Sequence, residues 1–294
     1  MQVATHNGSF HADEVFAIAT LGLLPGELEV IRTRDRERLA AADLRVDVGF
    51  NYDPAAGDFD HHQREFEEVR ANGVGYASFG LIWREFGARV CGGDQEVADV
   101  VEETLVQAID ANDTGQQISE SLIEGVRGMN VNGVIGGFNA RWDEDLSEDE
   151  ERARFDAAVD LARGILSREI ASAASGRRAV RIVEEAVKAA DDPRIVVLPD
   201  NVPWKQVVVG ESAEALFVIY PKRQGYGVEA VPAELGTFEN RRDLPEAWAG
   251  LENEDLAKVT GVEDSLFCHV KRFLAVAKSR EGAERLAALA LAES

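Results

Sequence analysis

The sequence predicts an α/β fold, with a parallel-sheet N-terminal domain (1–176) and a smaller α+β C-terminal domain (177–294). In the first part of the chain, short apolar runs alternate with segments whose apolar residues recur at helical spacing, which is typical of strand–helix units. Beyond residue 190, short apolar or alternating runs are separated by Pro, Gly and Asp, which indicates an antiparallel sheet. Polar residues follow several N-terminal apolar runs, as in open α/β sheets that bind ligands at strand ends.

The N-terminal elements alternate between strand and helix. We predict strands over 1–5, 28–31 and 44–48, and helices over 12–21, 35–42, 76–90 and 97–109. Gly22, Pro25 and Gly26 end the first helix. The start of the helix over 76–90 either faces a bound anion with its free N–H groups or is an ordinary packed end capped by Ser78.

The second half begins with helices and continues with short strands. Ser147 caps a long exposed helix that we expect to end near 174. A second helix follows Gly176, and we place the domain boundary there. The elements predicted beyond Gly176 are a helix over 179–190, strands over 194–198, 204–209, 215–220, 226–231 and 266–270, a short helix over 256–259 and a closing helix over 280–291.

The composition restricts the class of function. The net charge of −23 keeps the protein soluble and repels polyanions at long range, so the chain is not a general DNA-binding protein. An enzyme of nucleic acids remains compatible with this charge, because bound metal ions and a local basic patch invert the local field. The two cysteines are isolated, no apolar run reaches the ~20 residues of a membrane span, and the start lacks a signal-peptide pattern; we expect a reduced, cytoplasmic protein.

Four of the five histidines lie in two short stretches that also carry carboxylates. The first stretch is Thr5–Glu14, which follows the first strand, and the second is Phe59–Gln63. A single histidine beside an aspartate is usually structural, but the clustering of four favours a metal site. Imidazole combined with carboxylate suits Mn, Fe or Zn better than Mg or Ca.

Asp47 and the segment Asp110–Gly115 offer further carboxylate ligands. Asp47 ends an apolar strand, where a charge is costly unless it is paired, bound to metal or capping a turn. Asp110 and Asp113 follow a predicted core helix, and one of them would complete a site. The Gly- and Asn-rich segment 130–142 is interpreted as a substrate-side loop; it matches a phosphate-binding motif poorly, since it lacks the strand-to-helix frame.

Candidate substrate-binding cations are few in so acidic a chain. They are Arg141, His269, Lys271, Arg272 and the pair Lys222–Arg223. Each is by default a solvated surface charge. Arg141 is favoured by the neighbouring Trp142, because base stacking and phosphate contact often occur together.

Three motifs resemble the melanocyte-proliferating-gene family, which belongs to the DHH phosphoesterase superfamily. The motifs are Thr5–Glu14, Val46–Gly49 and Tyr52–Gln63. Leu244–Leu251 and Ser279–Ala283 are similar to the C-terminal half of that family, so the resemblance extends over the whole chain. It implies a parallel-sheet DHH domain that binds two divalent metal ions, usually Mn, and a smaller C-terminal domain across a cleft.

The resemblance also implies roles for individual residues. His62 resembles the superfamily histidine that contacts the scissile phosphate. We expect Asp60 to orient a ligand histidine by accepting its hydrogen bond. The predicted catalytic residues are therefore His62, Asp47 and Asp60. The sequence departs from the superfamily at His11, where an aspartate is usual, and Asp110 is an alternative to Asp113. The implied metal ligands are His6, His11, Asp13, Asp47, His61 and Asp113, with Asp47 as the bridge between the ions.

We therefore expect a two-metal phosphodiesterase that acts as a 3′ to 5′ exonuclease on single-stranded RNA or short oligonucleotides. Two metal ions would activate water and neutralise charge on the phosphate. Two alternatives are left open: a phosphohydrolase for pyrophosphate or a cyclic dinucleotide, and a metal-stabilised regulatory protein without turnover. The oligomeric state is also left open.

Overall fold

The first sheet brings the ends of three parallel strands to one edge. The computed structural model describes residues 1–126 and 128–293. The strands of this sheet are β1 (Gln2–Thr5), β2 (Glu29–Arg32), β3 (Leu44–Val46), β4 (Tyr52–Asp53) and β5 (Asp58–Phe59). Their order is β2-β1-β3-β5-β4, with parallel pairing except between β4 and β5. Because β1, β3 and β5 run in the same direction, His6, Asp47 and Asp60 follow them at one edge of the sheet.

The helices of this part pack their apolar faces on the sheet and on each other. They are α1 (Ala12–Leu21), α2 (Arg36–Ala41), α3 (Ser78–Val90), α4 (Gln95–Val101), α5 (Gln107–Asp113) and α6 (Val131–Gly136). α1 is buried along its whole length and packs on α3, where the ring centroids of Phe16 and Phe79 are 5.4 Å apart. This apolar contact holds the starts of α1 and α3 together, and it confirms the helix predicted over 12–21.

A π-helical turn divides the helix that we predicted over 97–109. The turn covers Glu102–Val106 and lies between α4 and α5. A π turn adds a residue to the helical repeat and therefore rotates the residues that follow it; such insertions are frequent at functional sites. α5 ends at Asp113, so the turn sets the direction in which the Asp110 and Asp113 side chains leave the helix.

A single helix, α7 (Glu148–Lys188), replaces the two helices that we predicted on either side of Gly176. The predicted break is wrong because glycine costs a helix only about 1 kcal/mol relative to alanine. Both parts of α7 bury apolar side chains, including Phe155 and Leu166 before the glycine and Val183 after it. The chain divides into two compact units, Met1–Ala174 and Ser175–Ser294, and the division falls within this helix, two residues before the boundary that we placed after Gly176.

The second unit contains a mixed sheet. Its strands are β6 (Ile195–Val197), β7 (Phe217–Lys222), β8 (Gly225–Ala230), β9 (Ser265–Cys268) and β10 (Leu274–Ala277), and its other helices are α8 (Lys205–Glu211), α9 (Asn253–Thr260) and α10 (Arg280–Ala292). The strand order is β6-β7-β8-β10-β9. β6 pairs in parallel with β7, and the remaining pairs are antiparallel. β10 was not predicted, because the sequence analysis assigned no element to that run.

The strand predicted over 204–209 is wrong, since these residues enter helix α8. Trp204, Val207 and Val208 are all buried, and their spacing is that of one helical face. The run of three valines suggested a strand because β-branched residues are enriched in sheets, but burial at helical spacing outweighs that preference. Within the described residues, no helix combines the length and apolar character needed to cross a bilayer.

Candidate metal centre

The loop after β3 holds Asp47 in a strained backbone conformation. Asp47 has φ +55°, Gly49 +108° and Phe50 +55°. For residues with a side chain this left-handed region costs roughly 1–3 kcal/mol, and it persists only where the surroundings fix it. Asp47 is nearly fully buried. The loop therefore directs a buried carboxylate towards the residues that follow β1 and β5.

His6 lies between two carboxylates. Its Nε2 is 3.0 Å from Glu14 Oε1 and 3.3 Å from Asp47 Oδ2. The exposed side chain of His11 completes this group: one ligand atom from each of the four residues lies within 4.8 Å of the others. Glu14 was not predicted as a ligand. Its carboxylate also accepts the His11 N–H, at 2.9 Å, so Glu14 both caps the start of α1 and belongs to the site.

His61 is shared by two further groups, and Asp47 links them to the first. One consists of Asp47, His61 and His62, and the other of Asp13, His61 and Asp113, each with ligand atoms within 4.8 Å. His61 Nε2 is 3.1 Å from Asp113 Oδ2 and 3.5 Å from Asp47 Oδ1. Since Asp47 and His61 each belong to two groups, the three groups form one continuous cluster. All six predicted ligands lie in it; their role as ligands stays a prediction.

Two observations fit a metal ion at this cluster. His61 Nε2 is buried beside two carboxylates, yet it makes no hydrogen bond of good geometry with any described residue. The donor set also combines imidazole nitrogens with carboxylate oxygens, which borderline divalent metals prefer. The cluster therefore has the chemistry of a metal site.

The first turn of α3 is held by buried carboxylates. Asp13 accepts the N–H groups of Phe79 at 2.6 Å and Ser78 at 3.1 Å, and Asp110 accepts that of Gly80 at 3.0 Å. Ser78 Oγ donates to Asp47 Oδ1 at 3.3 Å. The interpretation in which this helix start faces a free anion is therefore wrong, because protein side chains already occupy its N–H groups.

Asp110 is bound to an arginine and not to a histidine. Arg70 donates to Asp110 Oδ2 at 2.7 Å, and its guanidinium lies 3.9 Å from the centre of the Tyr76 ring. Burial raises the pKa of Asp110 to about 7, although Arg70 opposes the shift. A Cβ atom at Gly80 would lie 1.9 Å from Asp110 Oδ2, so this packing requires glycine. Asp110 belongs to none of the three groups among the described residues, whereas Asp113 does.

Three histidines of the cluster, His6, His61 and His62, have raised pKa values. Burial opposes protonation of His6 and His61, but the neighbouring carboxylates outweigh it and raise the pKa of His6 to about 10 and that of His61 to about 11. Asp47 and Asp60 raise the pKa of His62 to about 9. Burial would raise the pKa of Asp47, but contacts with His6, His61 and His62 lower it well below its usual range. A metal ion must therefore displace protons when it binds.

Asp60 fixes the orientation of His62. Asp60 Oδ1 is 2.9 Å from His62 Nδ1 and accepts the backbone N–H of His62 at 3.0 Å. Asp60 Oδ2 accepts the N–H of Phe50 at 2.7 Å. The His62 side chain is about half exposed and lines a cavity, so its other ring nitrogen remains available to a ligand.

A cavity of about 580 Å³ lies over the cluster. It is lined by His6, His11, Asp47, His62 and Asp113, together with Arg34, Phe50, Asn132 and Asn139. Its volume is within the usual range for small-molecule sites. The segment 130–142, predicted to be a substrate-side loop, does reach it. Part of that segment is helix α6, whose start is capped by the Asn130 side chain, and Asn139 bonds to both backbone groups of Phe10.

The predicted substrate-binding cations are not among the described residues that line this cavity. Arg141 is exposed, pairs with Asp143 and Glu144, and is absent from the described residues that line the cavity. His269, Lys271 and Arg272 belong to the second unit, where His269 Nδ1 accepts the Lys271 N–H and Arg272 pairs with Asp243. Their role in binding stays a prediction. Arg34 was missed, because only the folded chain brings the end of β2 to the site.

Comparison with known proteins gives a family for the whole chain. The family model MYG1_exonuc, described as an uncharacterised protein family (UPF0160), matches residues 2–291. The chain is 34% identical to the MYG1 exonuclease of Bos taurus, over 99% of this chain and 85% of that protein. It is 33% identical to the MYG1 exonuclease of Homo sapiens, over 99% and 86%. It is 32% identical to the MYG1 protein of Saccharomyces cerevisiae, over 99% and 96%. No solved structure matches it significantly. These matches confirm the resemblance to the melanocyte-proliferating-gene family, and the chain belongs to the MYG1 family.

Proposed function

We propose that this protein is a metal-dependent phosphodiesterase that acts as a 3′ to 5′ exonuclease on single-stranded RNA or short oligonucleotides. The observation that carries the proposal is the shared use of Asp47 and His61 by three adjoining groups of potential ligands at the edge of the sheet. The exonuclease names of the mammalian relatives support it. Strand polarity, manganese as the metal and the DHH relationship are part of the proposal.

The ligand groups divide naturally between two ions. His6, His11, Glu14 and Asp47 would hold one, and Asp13, Asp47, His61 and Asp113 the other, with Asp47 shared. When bound, such ions lower the pKa of water and neutralise charge on a phosphoryl group. Asp13 is already fixed by two N–H groups of α3, which would hold that side of the centre rigid.

His62 is the residue that would contact the substrate phosphate. Its Nδ1 faces Asp60 and Asp47, at 2.9 and 3.2 Å. In the metal-free chain Asp47 and Asp60 raise the pKa of His62 to about 9, so its ring is protonated at neutral pH and Nε2–H is a charged hydrogen-bond donor. A charged donor at this position stabilises negative charge on a phosphate oxygen and can give a proton to the leaving oxygen.

Charge favours short substrates. The net charge of −23 opposes the approach of long polyanions, whereas a short oligonucleotide is repelled less and meets the metal centre locally. The same charge and the cavity volume also favour a second candidate, a phosphohydrolase for pyrophosphate or a cyclic dinucleotide. In either case the predicted location is the cytoplasm.

The test is a manganese-dependent assay on RNA oligomers labelled at the 5′ end. A 3′ to 5′ exonuclease shortens the labelled strand stepwise, releases 5′-mononucleotides and leaves pyrophosphate intact. Immediate release of the label as a mononucleotide would reverse the polarity. Cleavage of pyrophosphate or a cyclic dinucleotide alone would favour the second candidate. A rise in melting temperature with manganese, without turnover of any of these, would favour a regulatory protein.

A further inference from the structure

Arg34 supplies positive charge in the cavity over the metal cluster. It follows β2 and is the one arginine or lysine among the described residues that line this cavity. Its side chain is exposed and makes no hydrogen bond or ion pair with another described residue. Arg32, two residues earlier, instead lies over the rings of Phe10 and Phe155. Arg34 is therefore available to a ligand in a cavity otherwise rich in carboxylates.

Phe50 presents an aromatic ring in the same cavity. Its side chain is 70% exposed, although the exposure of a large apolar side chain to water is unfavourable. Its backbone is in the left-handed region, which is an outlier for a bulky residue, and is held there by the N–H bond to Asp60. The Phe50 and His62 ring centroids are 6.4 Å apart and the rings are nearly perpendicular. This edge contact with His62 does not account for a strained phenylalanine that stays exposed beside the site.

Arg34 and Phe50 line the same cavity as His6, and they reach it from different strand ends. Arg34 follows β2 and Phe50 follows β3, and both strands neighbour β1. The strands β2 and β3 themselves are two strand spacings apart, roughly 10 Å, which is comparable to the length of a nucleotide. A group that can bind phosphate and an aromatic ring therefore line one cavity that follows these strands.

We infer that Arg34 and Phe50 form a nucleotide subsite, in which Arg34 binds a phosphate group and Phe50 stacks on a base. This inference rests on the proposed function and narrows its substrate class. A planar guanidinium binds phosphate through two parallel hydrogen bonds. Stacking on an aromatic ring accepts any base, so the subsite recognises nucleotides without reading their sequence.

The test is calorimetric binding to the full-length protein in the presence of manganese. The probes are AMP, ribose 5-phosphate and inorganic phosphate; as a 5′-mononucleotide, AMP has no phosphodiester bond to cleave. Phe50→Ala should weaken AMP binding roughly 5- to 100-fold and leave ribose 5-phosphate within about twofold, while Phe50→Trp keeps AMP affinity. Arg34→Ala should weaken both AMP and ribose 5-phosphate roughly 10- to 100-fold.

Matched controls are available on the same chain. Arg36 is exposed at the start of α2 and Phe238 is fully exposed in the second unit, and neither lines the cavity among the described residues. Arg36→Ala and Phe238→Ala should leave AMP affinity unchanged. Melting temperatures of all variants establish that they are folded.

The outcomes separate this inference from the proposed function. AMP binding that depends on Phe50 and Arg34, in a protein that cleaves no RNA, would retain the subsite and reject the nuclease. The subsite is overturned if wild-type protein binds AMP no more tightly than ribose 5-phosphate. It is also overturned if Phe50→Ala and Arg34→Ala bind AMP as wild type does, whether or not RNA is cleaved.

Discussion

Asp110 and Asp113 lie one turn apart on α5, yet they meet different kinds of partner. Asp110 is fully buried against Arg70, whose charge is permanent, and it anchors the start of α3. Asp113 faces His61, whose charge is a proton that a metal ion can replace. The same carboxyl group is structural beside a guanidinium and available for chemistry beside an imidazole. The kind of partner, more than burial alone, therefore separates a structural carboxylate from one that is available to a ligand.

The largest expected effect comes from the carboxylate shared by two ligand groups. Asp47→Asn keeps the side-chain shape but halves its capacity to bridge, so manganese-dependent cleavage should fall to background while circular dichroism shows a folded chain. Calorimetry should show weaker manganese binding. Asp43→Asn, in the exposed segment before β3, is the control and should retain activity. Full activity of Asp47→Asn would remove Asp47 from the centre.

The comparison between Asp110 and Asp113 can be broken directly. Asp110→Ala removes one of the two carboxylates that pair with the buried Arg70, the other being Glu102, and also removes the acceptor of the Gly80 N–H; it should lower the free energy of unfolding by about 2–4 kcal/mol. Asp113→Ala should lower it by about 1 kcal/mol or less, but should reduce the increase in melting temperature that manganese produces. Urea denaturation with and without manganese measures both. Equal destabilisation by the two substitutions would contradict the distinction.

Asp60 adds a third case to the comparison, because its partner, His62, is predicted to contact the substrate. Asp60→Asn should lower the pKa of His62 from about 9 towards its ordinary value, since a charged acceptor is lost. We expect activity to fall roughly 10- to 100-fold, with the alkaline limb of the pH–rate profile moving to lower pH. Asp58→Asn, which removes an acceptor for Arg45, is the control. An unchanged profile in Asp60→Asn would argue against this role.

The pH dependence should reverse when metal is added. In the metal-free protein, the raised pKa values of His62, His6 and His61, about 9, 10 and 11, add stability that is complete below pH 6.5 and is lost as pH rises through 9–11. Manganese must displace the protons of its proposed ligands His6 and His61, so its affinity should rise with pH, by up to about tenfold per unit for each proton released. Melting curves and calorimetry in buffers of different ionisation enthalpy measure the two trends. A metal affinity independent of pH would mean that metal binding releases no protons from His6 and His61.

The local sequence pattern predicted some of the elements that carry the proposed ligands. Strand β1 and helix α1 follow from apolar spacing and from Gly and Pro, so His6 could be placed at a strand end; β5 was not predicted, and His61 was recognised only from the clustering of the histidines. Glu14 was missed although it lies in the first motif; its position three residues after His11, where it caps the helix, was the available signal. Arg34 and Phe50 could not be found, because their proximity arises only when β2 and β3 pair with β1.

Longer segments failed for a different reason. Gly176 and the valines after Trp204 carry local preferences of about 1 kcal/mol or less per residue, and burial in the folded chain exceeds these preferences. Local preference is therefore least reliable where an element is held by contacts distant in sequence. The loops that carry the proposed ligands are short and are bounded by Gly and Pro, which makes their local signals stronger.

The candidate metal centre depends on the absence of a side chain at Gly80. A methyl group at this position would push against Asp110 Oδ2 and Arg70, at 1.9 and 2.5 Å, and would have to lift the start of α3 away from α5. Ser78 and Phe79 would move with it, and Asp13 would lose the two donors that aim its oxygens. A single methyl group at position 80 would therefore disturb the site, although α3 contributes no residue to any of the three ligand groups.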